Sequence, residues 1–314
     1  MSRPASHDVT PLALCLMAGV TLFWGLNWPL MKLALADVPP WAFRAACVAC
    51  GAVGLLTMAK MGGHALTIPR RLWPMLLLTG LLNITGWHLF TAFGLLSVGG
   101  GRASILAFTQ PIWVTLFSLI YLSERPTQRH WLGLACGMAG MLVLLVPDLT
   151  RLGGEPLGTL LILCGAVSWA SGTLLTKVTD WDTPLFTLLG WQMTIGGLPI
   201  ILGWIVIEDA WLRPQDVGLL PALATLYAVS IPMVFCYWAF FRIVQLLPAS
   251  IASLSVLATP VVGLFSAALL LGEPVGLGEV AALVLVMLAL FFVLRPARAP
   301  APAPAEAAEL PSQG

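Results

Sequence analysis

Apolar runs bounded by charge, proline or glycine fall near residues 12–35, 40–60, 72–96, 102–122 and 130–147, and again near 157–177, 184–207, 217–241, 248–271 and 276–294. A hydrocarbon core of roughly 30 Å needs about 20 apolar helical residues per crossing. The pattern therefore predicts an all-α integral membrane protein of ten transmembrane helices in two sets of five. Residues 1–11 read as a cytoplasmic tail, 12–147 as a first unit, 148–156 as a linker and 157–295 as a second unit. Residues 296–314 open PARAPAPAPAEAAEL after Arg295, a Pro/Ala run with little to bury and so a disordered cytoplasmic extension. The first apolar run has no small-residue cleavage pattern and reads as a retained span.

Composition sharpens this picture. Of 314 residues, 59% are hydrophobic and only 9% charged, against roughly a quarter charged in a soluble domain. Too little polar surface remains for a soluble domain. Fifteen basic and fourteen acidic residues leave a net charge of +1 with no basic stripe, which argues against nucleic acid as a partner. All six cysteines lie in apolar runs, where they act as small packing residues; Cys47 and Cys50 form a C-x-x-C without a second pair or a neighbouring histidine. No phosphate-binding G-x-x-x-x-G-K-[ST] occurs. The sequence thus predicts no cofactor and no metal site.

Basic residues set the orientation. With the N-terminus inside, Arg3, Lys60, Arg70, Arg71, Arg125, Arg129, Lys177, Arg242, Arg295 and Arg298 face the cytoplasm, against Lys32, Arg44, Arg102, Arg151 and Arg213 outside. The positive-inside rule then places both termini in the cytoplasm of a multi-pass protein of the cell membrane.

The halves also align. Trp24–Lys32 reads WGLNWPLMK and Trp169–Lys177 reads WASGTLLTK, a shift of 145. Ser104–Glu124 reads SILAFTQPIWVTLFSLIYLSE and Ser253–Glu273 reads SLSVLATPVVGLFSAALLLGE, a shift of 149. The extra residues fall in loops, where insertions are tolerated. Because each copy has an odd number of spans, the second enters the membrane in the opposite sense. Such inverted repeats are typical of secondary transporters, with the substrate site between repeats near the midplane.

The W-G-x-N-W-P-x-x-K of the first span, the Pro-Pro-x-x-Phe-Arg at 39–44, the Gln110-Pro111 pair and the L-x-E ends at Glu124 and Glu273 resemble the EamA family of the drug/metabolite transporter superfamily. The resemblance spans roughly residues 12–295. It implies two inverted five-helix repeats and export of small metabolites, often amino acids. It also implies an arginine at the position of Arg44, either binding a substrate carboxylate or pairing with an acid. One departure is Gly172, which stands where the first copy has Asn27.

Mid-membrane polar groups are the candidates for substrate contact, since they are costly unless they face protein or a water-filled cavity. Trp24, Asn27 and Met31 share a face of span one with Trp28 close by, and Trp169 repeats Trp24. Asn83, Trp87 and Thr91 share a stripe of span three, with Thr85 and His88 on adjoining faces. Tyr227, Ser230 and Tyr237 follow helical spacing in span eight, where Pro232 can kink the helix. Gln110 completes the set. The plainer alternative for each is interhelical packing.

Lys32, Arg44, Lys177, Pro111, Pro232, Pro260, Glu124 and Glu273 read as gating or structural residues. Lys32 and Arg44 have snorkelling as the ordinary alternative. Proline at 111 or 260 would free a carbonyl one turn earlier. Ser250, Ser253 and Ser255 read as packing residues, as do Gly133 and Gly137. His88 alone among the deep groups titrates near neutrality, which makes it the candidate for proton coupling.

The function this points to is a secondary transporter, an exporter of small neutral or zwitterionic metabolites such as amino acids, powered by a gradient. Its partners are a small metabolite and the lipid bilayer, and a homodimer is compatible with the sequence. Multidrug or cation efflux is the alternative within transport; every Asp and Glu lies in a tail, in a loop or at a helix end, with none deep in a span, which argues against it. An intramembrane transferase would be an enzyme and would need clustered acids. The nearest candidate pair is Asp180 and Asp182, where Asp182 equally reads as an N-cap before Pro184.

Overall fold

Prolines and glycines punctuate the chain, and the helices between them are nearly all apolar. The structure, a computed structural model, describes residues 11–110, 112–113, 116–117, 128–150, 156–208, 214–246 and 259–294. Among these the regular structure is helical: α1 (Pro11–Asp37), α2 (Pro40–Met61), α3 (Trp73–Gly80), α4 (Trp87–Ser97), α5 (Gly100–Ala107), α6 (Gln128–Thr150), α7 (Pro156–Val178), α8 (Leu185–Val206), α9 (Leu219–Ser230), α10 (Tyr237–Leu246), α11 (Thr259–Leu271) and α12 (Leu277–Leu294). α2 starts with proline at its first turn, where a missing N–H costs nothing.

Among the described residues, six segments are long and apolar enough to cross a membrane: Leu14–Asp37, Pro40–Met61, Arg70–Ser97, Pro156–Thr176, Leu185–Val206 and Leu219–Phe240. Trp131–Leu144, Thr259–Leu271 and Leu277–Ala289 are shorter apolar helices. Much of the predicted fourth and ninth spans lies outside the described residues, including Pro111, Glu124, Ser250, Ser253 and Ser255.

Two of the crossings are interrupted by π-helical segments, Leu81–Gly86 between α3 and α4 and Ile231–Cys236 between α9 and α10. The second contains Pro232, whose missing N–H disrupts the regular ladder. The distortion expected at Pro232 is therefore present, as a π segment. A π segment adds residues to a turn and rotates the faces that follow, so side chains on either side no longer keep a 3.6-residue register.

The helices pair so that exchanging the halves preserves the pattern. α2 lies against α8 and α6 against α12. α4 lies against α7 as α10 lies against α1, and α3 against α8 as α9 against α2. Leucines such as Leu202, Leu226 and Leu269 face outward, while Arg44, His88, Thr79, Asn83 and Gln192 are buried. Between apolar helices in lipid, small residues permit close contact. A Cβ at Gly196 would lie 2.2 Å from the Gly80 carbonyl oxygen, and Thr85 Oγ1 donates to the Gly196 carbonyl at 2.5 Å.

One end of the bundle is tied across the halves by charges on helix termini. Glu273 accepts from the N–H groups of Gly100 and Gly101 at 2.7 and 3.0 Å. Glu208 accepts from Trp41 and Ala42 at 3.2 and 2.7 Å, and Asp37 from Gly218 at 2.9 Å. Within the first half, Lys32 Nζ donates to the carbonyls of Leu95, Leu96 and Val98 at 2.5, 3.1 and 3.1 Å. Each charge has the sign that the helix dipole favours at its terminus. Lys32 is thus bound to a helix C-terminus and does not snorkel. No side-chain cap holds the start of α8, and Asp182 adopts a φ of 43°, so the N-cap expected of Asp182 is not formed.

Candidate transport cavity

Trp24, Asn27, Trp28 and Met31 lie along one face of α1, as their spacing predicts, and that face opens on a cavity. Trp87 and Thr91 of α4, Trp169 of α7 and Tyr237 of α10 complete its aromatic wall. Arg44, Ala107, Phe108, Gln110, Pro232 and Met233 supply the remainder. The cavity offers about 80 Å³ to the centres of water-sized molecules. At roughly 10–15 Å³ per water, that is space for a solute of a few heavy atoms.

Five rings run in series around it. Tyr237 stands 6.0 Å from Trp24 and 6.1 Å from Trp169, Trp169 stands 5.0 Å from Trp87, and Trp87 stands 6.3 Å from Trp28. The belt draws on both halves of the chain. Its edge-on and tilted contacts suit the ring quadrupole.

Polar atoms are few. Asn27 Oδ1 and Gln110 Oε1 have no hydrogen-bond partner among the described residues, although neither atom reaches solvent. Such groups are costly in a closed protein and are natural acceptors for a bound solute. The helix of Gln110 loosens just before it, with a turn at Phe108 and Thr109, two to three residues before position 111. Ala107 and Phe108, at that break, line the cavity. Only the proline at 111 hinted at this.

Arg44 sits on the second turn of α2 and is 3% exposed, so it does not snorkel. Its Nη2 donates to Thr91 Oγ1 at 2.7 Å and lies 2.8 Å from Met31 Sδ, while Nη1 lies 3.2 Å from His88 Nδ1. Thr91 in turn donates to the Trp87 carbonyl at 2.7 Å. Arg44 Nε has no partner among the described residues. His88 is fully buried behind this guanidinium and does not line the cavity.

Four expected residues lie elsewhere. Asn83 faces α7 and α8, its Nδ2 3.4 Å from Thr176 Oγ1, because the π segment at 81–86 rotates it away from Trp87 and Thr91. The π segment at 231–236 likewise separates Ser230 from Tyr237. Ser230 is exposed and bonds back to the Leu226 carbonyl at 2.6 Å. Tyr227 ties to span one through its hydroxyl, which donates to the Phe23 carbonyl at 2.7 Å. His88 is the fourth. Of the gating set, Pro260 lies buried in α11, with its carbonyl 3.5 Å from Ser104 Oγ. The side chain of Lys177, like Pro111 and Glu124, lies outside the described residues.

Comparison with known proteins agrees with this layout. The EamA-like transporter family matches twice, over residues 11–146 and 156–295. The chain belongs to the EamA-like transporter family. Among its EamA-type relatives, an uncharacterized transporter of Bacillus subtilis, YvbV, is 30% identical over 88% of this chain and 90% of its own. A probable amino-acid metabolite efflux pump of Salmonella typhimurium is 28% identical over 87% and 91%. A solved crystal structure shares the fold with a TM-score of 0.62 at 21% identity, covering 88% of this chain and 95% of that one. The protein is a multi-pass membrane transporter and not an enzyme.

Proposed function

We propose that this EamA-type protein is a secondary transporter that exports small neutral or zwitterionic metabolites, amino acids foremost. It works by alternating access of two inverted five-helix repeats, ten spans in all, with both termini in the cytoplasm. The observation that carries the reading is the cavity between the halves, walled by Trp24, Trp28, Trp87, Trp169 and Tyr237 and lined by Asn27 and Gln110, whose amide oxygens have no hydrogen-bond partner among the described residues. An ammonium group finds both hydrogen-bond acceptors and aromatic faces there. An apolar side chain finds Met31, Phe108 and Met233. The exchange-symmetric helix pairing supports the repeat reading, and the relative named as a probable amino-acid metabolite efflux pump supports the substrate class. Cation efflux is disfavoured because the described lining residues include a guanidinium and no carboxylate.

The experiment is counterflow in proteoliposomes loaded in turn with each unlabelled amino acid, together with a growth-rescue screen against inhibitory amino acids and analogues. Accelerated exchange of at least one amino acid, and raised tolerance to its analogue, is the expected outcome. Flux of lipophilic cations with none of any amino acid would overturn the reading.

A further inference from the structure

We propose that Arg44 is the carboxylate anchor of the cavity, and that His88 and Thr91 are positioning residues that hold its guanidinium with its charge uncompensated. The substrate class assigned is molecules bearing a carboxylate, which deepens the amino-acid reading above and rests on the same cavity. The argument begins with what surrounds the charge. A guanidinium has five N–H donors and no acceptor and stays protonated in proteins. Burying one without a counter-ion is expensive, so buried arginines are ordinarily paired with acids.

Here every polar contact is neutral. Thr91 Oγ1, Met31 Sδ and His88 Nδ1 take the Nη groups, the Cys47 thiol also interacts with the guanidinium, and the Phe43 ring lies 5.3 Å from the guanidinium carbon. Among the described residues no carboxylate reaches it; Asp37, Glu208 and Glu273 are committed to helix N-termini at the end of the bundle. Nε has no hydrogen-bond partner among the described residues. Arg44 nonetheless lines the cavity, alongside Thr91 and Met31. A full positive charge thus faces a small, largely apolar chamber, and a bound carboxylate would supply the missing counter-ion. Its bidentate match to the guanidinium fork makes that contact specific.

His88 fixes the geometry. Because Arg44 can only donate, His88 Nδ1 must accept, and the proton on the neutral ring then sits on Nε2. The ring is fully buried and Nε2 has no partner among the described residues. A second proton would have to enter at Nδ1, against the guanidinium. His88 therefore positions Arg44 and is not a proton carrier, in contrast to the coupling role that its depth in the sequence suggested. The second half holds the uncharged counterpart of this node: Gln192, at the repeat position of Arg44, donates to Thr176 Oγ1 at 3.1 Å, and Thr176 stands at the repeat position of Met31.

The test uses the full-length protein in nanodiscs and isothermal titration calorimetry with matched ligands. The alanine, threonine and leucine series each supply the amino acid, its amide and the acid lacking the amino group. In the wild type, the best amino acid should bind at least tenfold more tightly than its amide, and that ratio should fall to near one in Arg44→Gln. Arg44→Lys, which keeps charge but loses the fork, should retain part of it. His88→Leu should weaken amino acids roughly tenfold and leave amides unchanged. His88→Asn, whose amide oxygen can accept from Arg44, should restore most of the loss. The pH profile of counterflow should be the same in His88→Asn as in the wild type.

Equal affinity for acid and amide in the wild type overturns the anchor. So does an equal loss for both ligands in Arg44→Gln, and so does absence of binding across all three series. A His88→Asn variant that binds normally but loses gradient-driven transport returns His88 to a proton-carrying role. The two readings fail separately. Carboxylate-selective binding without any flux removes the exporter, and flux of amino acid and amide alike removes the anchor.

Discussion

Gly172 stands where the repeat would place a second Asn27, and a Cβ built there lies 2.2 Å from Asn83 Oδ1, 2.6 Å from its Cγ and 3.1 Å from its backbone nitrogen. The amide has little freedom to retreat, because Asn83 is 8% exposed and sits in the π segment that packs on α7. Overpacking of this kind costs about 1–3 kcal/mol, partly offset by roughly 1 kcal/mol of helix propensity gained on replacing glycine. Gly172→Ala should therefore destabilise by about 0–2 kcal/mol. Gly172→Asn, which makes the two repeats alike, should cost more. Truncating the obstacle with Asn83→Ala leaves only the 3.1 Å contact, so in that background Gly172→Ala should become neutral or stabilising. A double-mutant cycle on SDS-titration unfolding should show a coupling of about 1–3 kcal/mol. Equal effects of Gly172→Ala in both backgrounds, within about 0.5 kcal/mol, would refute the steric account of why the repeat is broken here.

Three further outcomes follow from the geometry. Glu273→Ala strands two helix-start N–H groups and should lower stability by about 2–4 kcal/mol, with faster amide exchange at Gly100 and Gly101; Glu273→Gln, which keeps one acceptor, should lose less. Thr85→Val removes the 2.5 Å bond to Gly196 and should cost about 0.6–1.7 kcal/mol in unfolding assays, the range for hydrogen bonds between membrane helices; no change would show that the glycine contact alone holds α3 to α8. Trp87→Ala removes the middle of the ring series, touching both Trp28 and Trp169. It should cost about 3 kcal/mol in stability and weaken amino-acid binding more than tenfold by calorimetry.

Some of this protein was decided along the chain and some only in space. The apolar runs, the matched Trp–Lys and Ser–Pro–Glu segments and the face of α1 carrying Trp24, Asn27 and Met31 are local or periodic properties, so they are legible in the residues themselves. Hydrocarbon thickness dictates run length, and an unbroken helix carries its register from one turn to the next. That register fails across residues 81–86 and 231–236, where π segments rotate Asn83 and Ser230 away from the faces of Trp87 and Tyr237. Of these only Pro232 left a trace in the sequence. Arg44 shows the other limit. Its position five residues into a span looks like a snorkelling site, and only the tertiary structure surrounds it with Met31, His88 and Thr91 from other helices. Burial and pairing are properties of neighbours brought together from distant positions, and no period in the sequence encodes them.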